Sequence, residues 1–254
     1  MISCNLKGGL GNQLFQIAAV CGLAFENNDV FGFNFDNCYT PLQGFKSSKY
    51  KNSIYRNILS INSLSNNIYN EPCFEYKKIP YSGDVVLDGY FQSEKYFDNY
   101  KDNIINLFDL TYRLNEINEF FDKLPRPITA VHVRRGDYLP LTDTFVILDR
   151  DYYLSAMDIL EKNTSFLVFS DDLNWAKSNL SNQNVYFSNC NDELFDLILM
   201  SKCDNNIIAN SSFSWWGAYL NKNKNKTVIG PDKWFNPHSN LNYKDILPNN
   251  WIKC

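Results

Sequence analysis

From residue 127 onward the sequence alternates two kinds of run at a steady pitch. ITAVHV, SFLVFS, NVYFS, NNIIAN and TVIG are short, apolar and rich in β-branched and aromatic residues. Between them lie RDYYLSAMDILEK, DDLNWAKSNL, DELFDLILMSKC and SFSWWGAYLNK. These have helical spacing; Tyr153, Met157 and Leu160, for example, share one face. Strand and helix in alternation imply a parallel sheet covered on both faces. We therefore expect a Rossmann-like half over residues 127–254 and a second, less regular α/β half over 1–126. The sequence RLNEINEFFDKLPRP, between 110 and 127, reads as helix plus linker.

The N-terminal half opens as strand (MISCNL), glycine break (KGGLG) and a helix (NQLFQIAAVCGLAFE) that is apolar on nearly every side and so well buried. Residues 46–83 read as short helices and loops, and DVVLDGYFQSEKYF as a strand leading into a turn and helix. In a sheet of this kind ligands sit at the carboxyl ends of strands. Four polar clusters fall at such ends: Gly8 to Gln13, His132 to Asp137, Ser170 to Asp172, and Asn210 to Ser212.

Composition narrows the function. The net charge is -4 and the isoelectric point about 5.2, which disfavours nucleic acid as a partner. The start of the chain shows no signal peptide, and no apolar stretch is long enough to read as a transmembrane segment. Seven cysteines without CxxC spacing speak against a zinc site or a disulfide framework. The only histidines are His132 and His238, which leaves little room for a histidine-based metal centre.

Two arginines follow the strand ITAVHV. If the strand persists to Arg135, His132 and Arg134 share one face and Arg135 points the other way. One guanidinium then reaches a phosphate with paired hydrogen bonds, while the other holds the loop; the plainer alternative is two structural ion pairs. Gly8, Gly9 and Gly11 could bring backbone N–H groups to an anion, or simply make a tight turn. Asn210, Ser211 and Ser212 stand where a helix begins, as a phosphate site or as ordinary caps. Trp215 and Trp216 could stack on a base or a sugar, with one of them in the core. Asp171 could accept from a purine edge, and one aspartate of the Asp171–Asp172 pair could be only a helix cap. Asp149-Arg150-Asp151 matches the DxD pattern of metal-dependent nucleotide-sugar enzymes, but it also opens a helix, where acids are favoured anyway.

Taken together, GGLGNQLFQ, LDGYFQSEKYF, HVRRGDY, FSDD and NSSFSWWGAYL resemble the α-1,2-fucosyltransferases of glycosyltransferase family eleven, in order, over residues 6 to about 235. The resemblance implies a GT-B architecture of two Rossmann-like halves. It implies an inverting, metal-independent transfer of L-fucose from GDP-β-L-fucose to O2 of a terminal galactose, with GDP-fucose as donor substrate and no cofactor. It places Arg134 on the β-phosphate, Ser211 or Ser212 near phosphate, Asp171 on guanine with His132 nearby, and Gly9, Gly11 and Asn12 in a loop over the pyrophosphate. Asn210 belongs to the same motif as the serines. Asp137 is the candidate base, or else holds Arg135 or the loop. The acceptor would be a galactose-terminated glycan, chosen by residues 36–83 and the compressed loop after Tyr138. The compartment implied is the cytoplasm of a bacterial or viral system. The alternatives are a different acceptor or linkage, or a catalytically silent GDP-sugar or glycan-binding module.

Overall fold

The structure is a computed structural model that describes residues 1–36, 44–160 and 163–254. Cys38 and part of the expected acceptor region lie outside the described residues. The strands of the regular half form where expected: β4 (Ile128–Val133), β5 (Ser165–Ser170), β6 (Val185–Phe187), β7 (Asn205–Ile207) and β8 (Val228–Gly230), joined by β9 (Ile252–Lys253). They make one parallel sheet in the order β6-β5-β4-β7-β8-β9. The chain leaves β4 toward β5 and β6, then crosses back to lay β7 against the other side of β4. The order therefore reverses at β4, and such a reversal opens a crevice at the strand ends. β4 is buried along its whole length, as a central parallel strand must be.

Four helices connect these strands: α4 (Arg150–Asp158), α5 (Leu173–Leu180), α6 (Glu193–Lys202) and α7 (Ser212–Tyr219). Three of the four start at aspartates whose side chains accept from backbone N–H groups: Asp149 for α4, Asp172 for α5 and Asp192 for α6. Asp149 of the DxD pattern is thus a cap. Among the described residues no group of three acidic, histidine or cysteine side chains is placed to hold a metal ion. Trp215 and Trp216 are both fully buried, and Trp215 packs on Tyr219 and Trp251. Both are core, so neither stacks on a ligand. Truncating either would cost about 3–5 kcal/mol.

The less regular half is built on a three-stranded parallel sheet, β1-β3-β2, from β1 (Ile2–Cys4), β2 (Ile68–Asn70) and β3 (Val85–Asp88). β2 falls in the region read as helices and loops. Three exposed or half-exposed residues with polar neighbours carry no strand pattern, and only pairing with β3 makes them one. α1 (Leu10–Glu26) is buried on almost every side, as expected, and packs against β1 and against α2 (Lys101–Leu107).

The chain forms two units, residues 1–110 with 241–248, and residues 111–240 with 249–254. The expected division at 126/127 differs from this at two places. Residues 111–126, including α3 (Leu114–Phe121), belong to the second unit, where Tyr112 and Arg113 both bond Asp192. Residues 241–248 return to the first, where Asp245 accepts from the Tyr76 backbone N–H and pairs with Lys95. A near-terminal segment that rejoins the first unit leaves no trace in local pattern.

Candidate active site

β4 ends at Val133, so the strand does not persist to Arg135 as the parity argument required. At Arg135 (φ -142°, ψ -51°) the chain turns into a 3-10 turn over Gly136–Leu141. The two guanidiniums still diverge, because the turn separates them. Arg134 pairs with Asp137 at 2.7 Å and with Asp171 at 3.2 Å. Its guanidinium carbon lies 5.4 Å from the centre of the Tyr138 ring, which itself stacks on Phe145 at 3.9 Å. Arg135 pairs with Asp172 at 3.5 Å and lies 4.2 Å over the Trp175 ring. Asp171 ties the two together: one oxygen meets the Arg134 side chain and the other accepts from the Arg135 backbone N–H at 2.9 Å. Both arginines are thus ion-paired. Asp137 holds Arg134, not Arg135.

Gly136 keeps this arrangement tight. A Cβ there would lie 3.1 Å from an Asp171 carboxylate oxygen, closer than most side chains tolerate. His132 lies beneath, buried against Phe213. Burial, and then the nearby Arg134 charge, lower its pKa to about 3. It is a neutral imidazole at any physiological pH, and its buried Nδ1 has no partner among the described residues.

Across the reversal from β4, the end of β7 leads to α7. Asn210 is fully buried, and its side-chain amide donates to the Val146 and Trp234 carbonyls, both at 2.9 Å. Its own carbonyl accepts from the Tyr138 hydroxyl at 3.0 Å. The Asn210 side-chain N–H groups therefore serve the fold. Ser211 is the N-cap residue of α7, yet its side chain makes no capping bond and instead hydrogen-bonds Tyr138. Ser212 opens the helix. Tyr138 stitches the end of β4 to the start of α7, bringing Arg134, Asp137, Asp171, Ser211 and Ser212 to one edge of one sheet.

In the other unit, Gly9 is the N-cap of α1, and Gly11 and Asn12 lie in its first turn. The strained glycine is Gly8 (φ +76°), where a Cβ would strike Asn12 at 2.5 Å. Gln13 fixes the loop by donating to the Gly8 and Phe45 carbonyls, and the Asn12 side-chain oxygen accepts from Gln92.

Some residues escaped the sequence reading. Trp175 and Tyr138 support the guanidiniums; an aromatic in the first turn after a strand-end carboxylate pair is the signal that could have found Trp175. Asp196, at the start of α6, faces the end of β6 and accepts from Ser188 at 2.6 Å. Burial raises its pKa to about 6. Only tertiary structure brings that pair together.

Comparison with known proteins gives this edge a context. The sequence profile described as Glycosyl transferase family 11 matches residues 1–254. The chain belongs to glycosyltransferase family 11. It is 33% identical to the O-antigen biosynthesis glycosyltransferase WbnK of Escherichia coli, with 99% of each chain covered. To an alpha-1,2-colitosyltransferase of Escherichia coli it is 31% identical, covering 100% of this chain and 98% of that one. It is 27% identical to galactoside alpha-(1,2)-fucosyltransferase 2 of Oryctolagus cuniculus, over 87% of this chain and 67% of that one. In fold this family 11 enzyme is similar to the fucosyltransferase NodZ from Bradyrhizobium (TM-score 0.53, 11% identity, 85% of this chain and 91% of that one). A structure of NodZ alpha-1,6-fucosyltransferase soaked with GDP-fucose gives a TM-score of 0.51 at 12% identity, over 86% and 91%. The fold is that of a GT-B fucosyltransferase. Among the described residues no helix is long and apolar enough to cross a membrane.

Proposed function

We propose that this family 11 glycosyltransferase moves L-fucose from GDP-β-L-fucose to O2 of a terminal galactose, with inversion and without a metal ion. The observation that carries the reading is Arg134, held by two carboxylates at the point where the strand order reverses. As the bond from the fucose anomeric carbon to the β-phosphate oxygen breaks, charge grows on that phosphate. A guanidinium fixed beforehand stabilises it without reorganising. The approaching donor displaces Asp171 from Arg134 while Asp137 keeps its hold on the guanidinium, and Ser211 and Ser212 at the start of α7 add hydroxyl and N–H donors. Asp171 and neutral His132 are the donor's further contacts, with Asp171 on guanine; the resemblance adds Gly9, Gly11 and Asn12 as backbone support for the pyrophosphate. Asp137 orients Arg134. The acceptor hydroxyl attacks the face opposite the departing GDP, so a β-linked donor gives an α-linked product. The oxocarbenium-like transition state asks little of a base.

The full-length likeness to an alpha-1,2-colitosyltransferase favours a second reading, in which the donor is GDP-colitose. Colitose is fucose without its 3-hydroxyl. A site built to bond that hydroxyl rejects the deoxy sugar by about four orders of magnitude, and a site that ignores it does not.

One assay tests both. The protein is given GDP-fucose or GDP-colitose with lactose or N-acetyllactosamine in EDTA, and GDP and product linkage are followed. A 2-linked product in EDTA supports the proposal and its metal independence, and the preferred donor selects the reading. Activity only after Mn²⁺ is restored overturns the metal-free mechanism. No GDP from either donor, with or without Mn²⁺, overturns the transfer itself and favours the silent binding module.

A further inference from the structure

The motif LDGYFQSEKYF carries part of the family resemblance but supplies none of the donor-site residues above. It lies at the carboxyl end of β3, in the three-stranded parallel sheet of the first unit. β1 ends on the same edge. There Lys7 forms an ion pair with Asp88, and the Asn5 amide lies 3.5 Å from the other Asp88 oxygen. The Lys7 ammonium also stands 5.4 Å from the centre of the Tyr90 ring. Tyr90 is 39% exposed, and the Lys7 and Asp88 side chains are each about a quarter open to solvent.

The backbone that presents these groups is costly to build. Glu71 is a desolvated carboxyl whose two oxygens accept from the Tyr90 and Phe91 backbone N–H groups, at 2.6 and 2.9 Å. Gly89 lies so close to it that a Cβ would come within 2.3 Å of the Glu71 side chain. Phe91 takes φ +50°, a conformation that bulky residues avoid. Lys7 is fixed as firmly, because buried Gln16 accepts from its N–H and donates to its carbonyl, both at 2.9 Å. A half-buried ion pair adds little net stability, and an exposed tyrosine adds less. Strain and a desolvated carboxyl concentrate where a site must be shaped, and the carboxyl edge of a parallel sheet is where ligands bind.

We infer that Tyr90, Lys7, Asp88 and Asn5 form a subsite for a neutral saccharide, the galactose-terminated acceptor. The apolar C–H face of the sugar lies on the Tyr90 ring. Neighbouring hydroxyls donate to Asp88 and accept from Lys7 and Asn5, a mixed set of donors and acceptors suited to a vicinal diol and poorly suited to an anion. This rests on the proposed acceptor, but it can be tested without turnover.

The test measures lactose and N-acetyllactosamine binding by saturation-transfer NMR titration, with GDP binding by calorimetry on the same preparations. The proteins are the wild type, Tyr90→Ala, Tyr90→Phe and Lys7→Met, each checked by thermal melting. The expected result is a saccharide Kd raised about tenfold or more in Tyr90→Ala and Lys7→Met. Tyr90→Phe keeps near-wild-type affinity, and the GDP Kd moves less than about twofold throughout. Unchanged saccharide affinity in both Tyr90→Ala and Lys7→Met overturns the subsite, as does a wild type that binds neither sugar. A wild type that binds the sugars through Tyr90 but transfers nothing would instead overturn the proposed activity and leave the subsite standing.

Discussion

The two sheets of this protein each gather polar groups at their carboxyl ends, and they hold them by different means. At the end of β4 the work is done by side chains: two guanidiniums and three carboxylates pair across the ends of β4 and β5. At the end of β3 it is done by the backbone: a half-buried, desolvated glutamate fastens two N–H groups over a glycine where any Cβ would meet the Glu71 side chain. Side-chain ion pairs can be exchanged for ligand contacts at little structural cost. A backbone fastened to a desolvated carboxyl cannot, so it presents a fixed surface. The first arrangement suits a charged group that must be gripped and released, the second a neutral one that must be recognised by shape.

That contrast can be broken most directly at Arg134. Arg134→Ala should lower kcat/KM by about a thousandfold or more, near 4 kcal/mol of transition-state stabilisation, while the melting temperature moves by only a few degrees. A variant with near-normal turnover would remove Arg134 from the chemistry. At the other sheet the effect should fall on the fold. Gly89→Ala should cost about 3 kcal/mol in urea unfolding, because the new methyl meets the Glu71 side chain. A neutral outcome would mean that the turn is soft and the contrast wrong.

A smaller effect, dependent on pH, is expected at Asp196. Its pKa is raised in the folded state, so the folded protein holds its proton more tightly than the unfolded chain. The associated stability is present below about pH 4 and is lost as pH rises through about 6. Asp196→Asn mimics the protonated acid. It should be more stable than the wild type at pH 7, by up to about 3 kcal/mol, and nearly equal to it near pH 4. An advantage independent of pH would assign it to packing. The smallest change should come from Arg135→Lys, which keeps the charge but loses the planar stack on Trp175, at about 1 kcal/mol by thermal melting. A drop as large as that of Arg134→Ala would show that the two arginines are not divided in role.

The regular half was legible because its strands are long enough, or buried enough, to carry a pattern; ITAVHV and SFLVFS match β4 and β5 residue for residue. β2 and β9 were not, because two or three residues at or near a sheet edge have no periodicity of their own. In the candidate site, the arginine pair and the helix-opening serines could be found by reasoning from strand ends. Strand parity predicts that the side chains of Arg134 and Arg135 diverge; they do, but through the turn after Val133. Asn210 looked like a ligand residue because its type fits; only the Val146 and Trp234 carbonyls show where its amide is spent. Pairings such as Ser188 with Asp196, or Lys7 with Asp88, join separate elements and need the fold to be seen.

The return of residues 241–248 to the first unit has a consequence for how relatives of this enzyme could exchange parts. A single genetic crossover near residue 110 would splice one parent's first unit to another parent's Lys244 and Asp245, the residues that pair with Glu75 and Lys95. The chimera would carry mismatched partners inside the unit it was meant to import. Recombination that moves this unit intact needs a second insertion, between 240 and 249. Engineers grafting a new specificity would need to make the same two cuts.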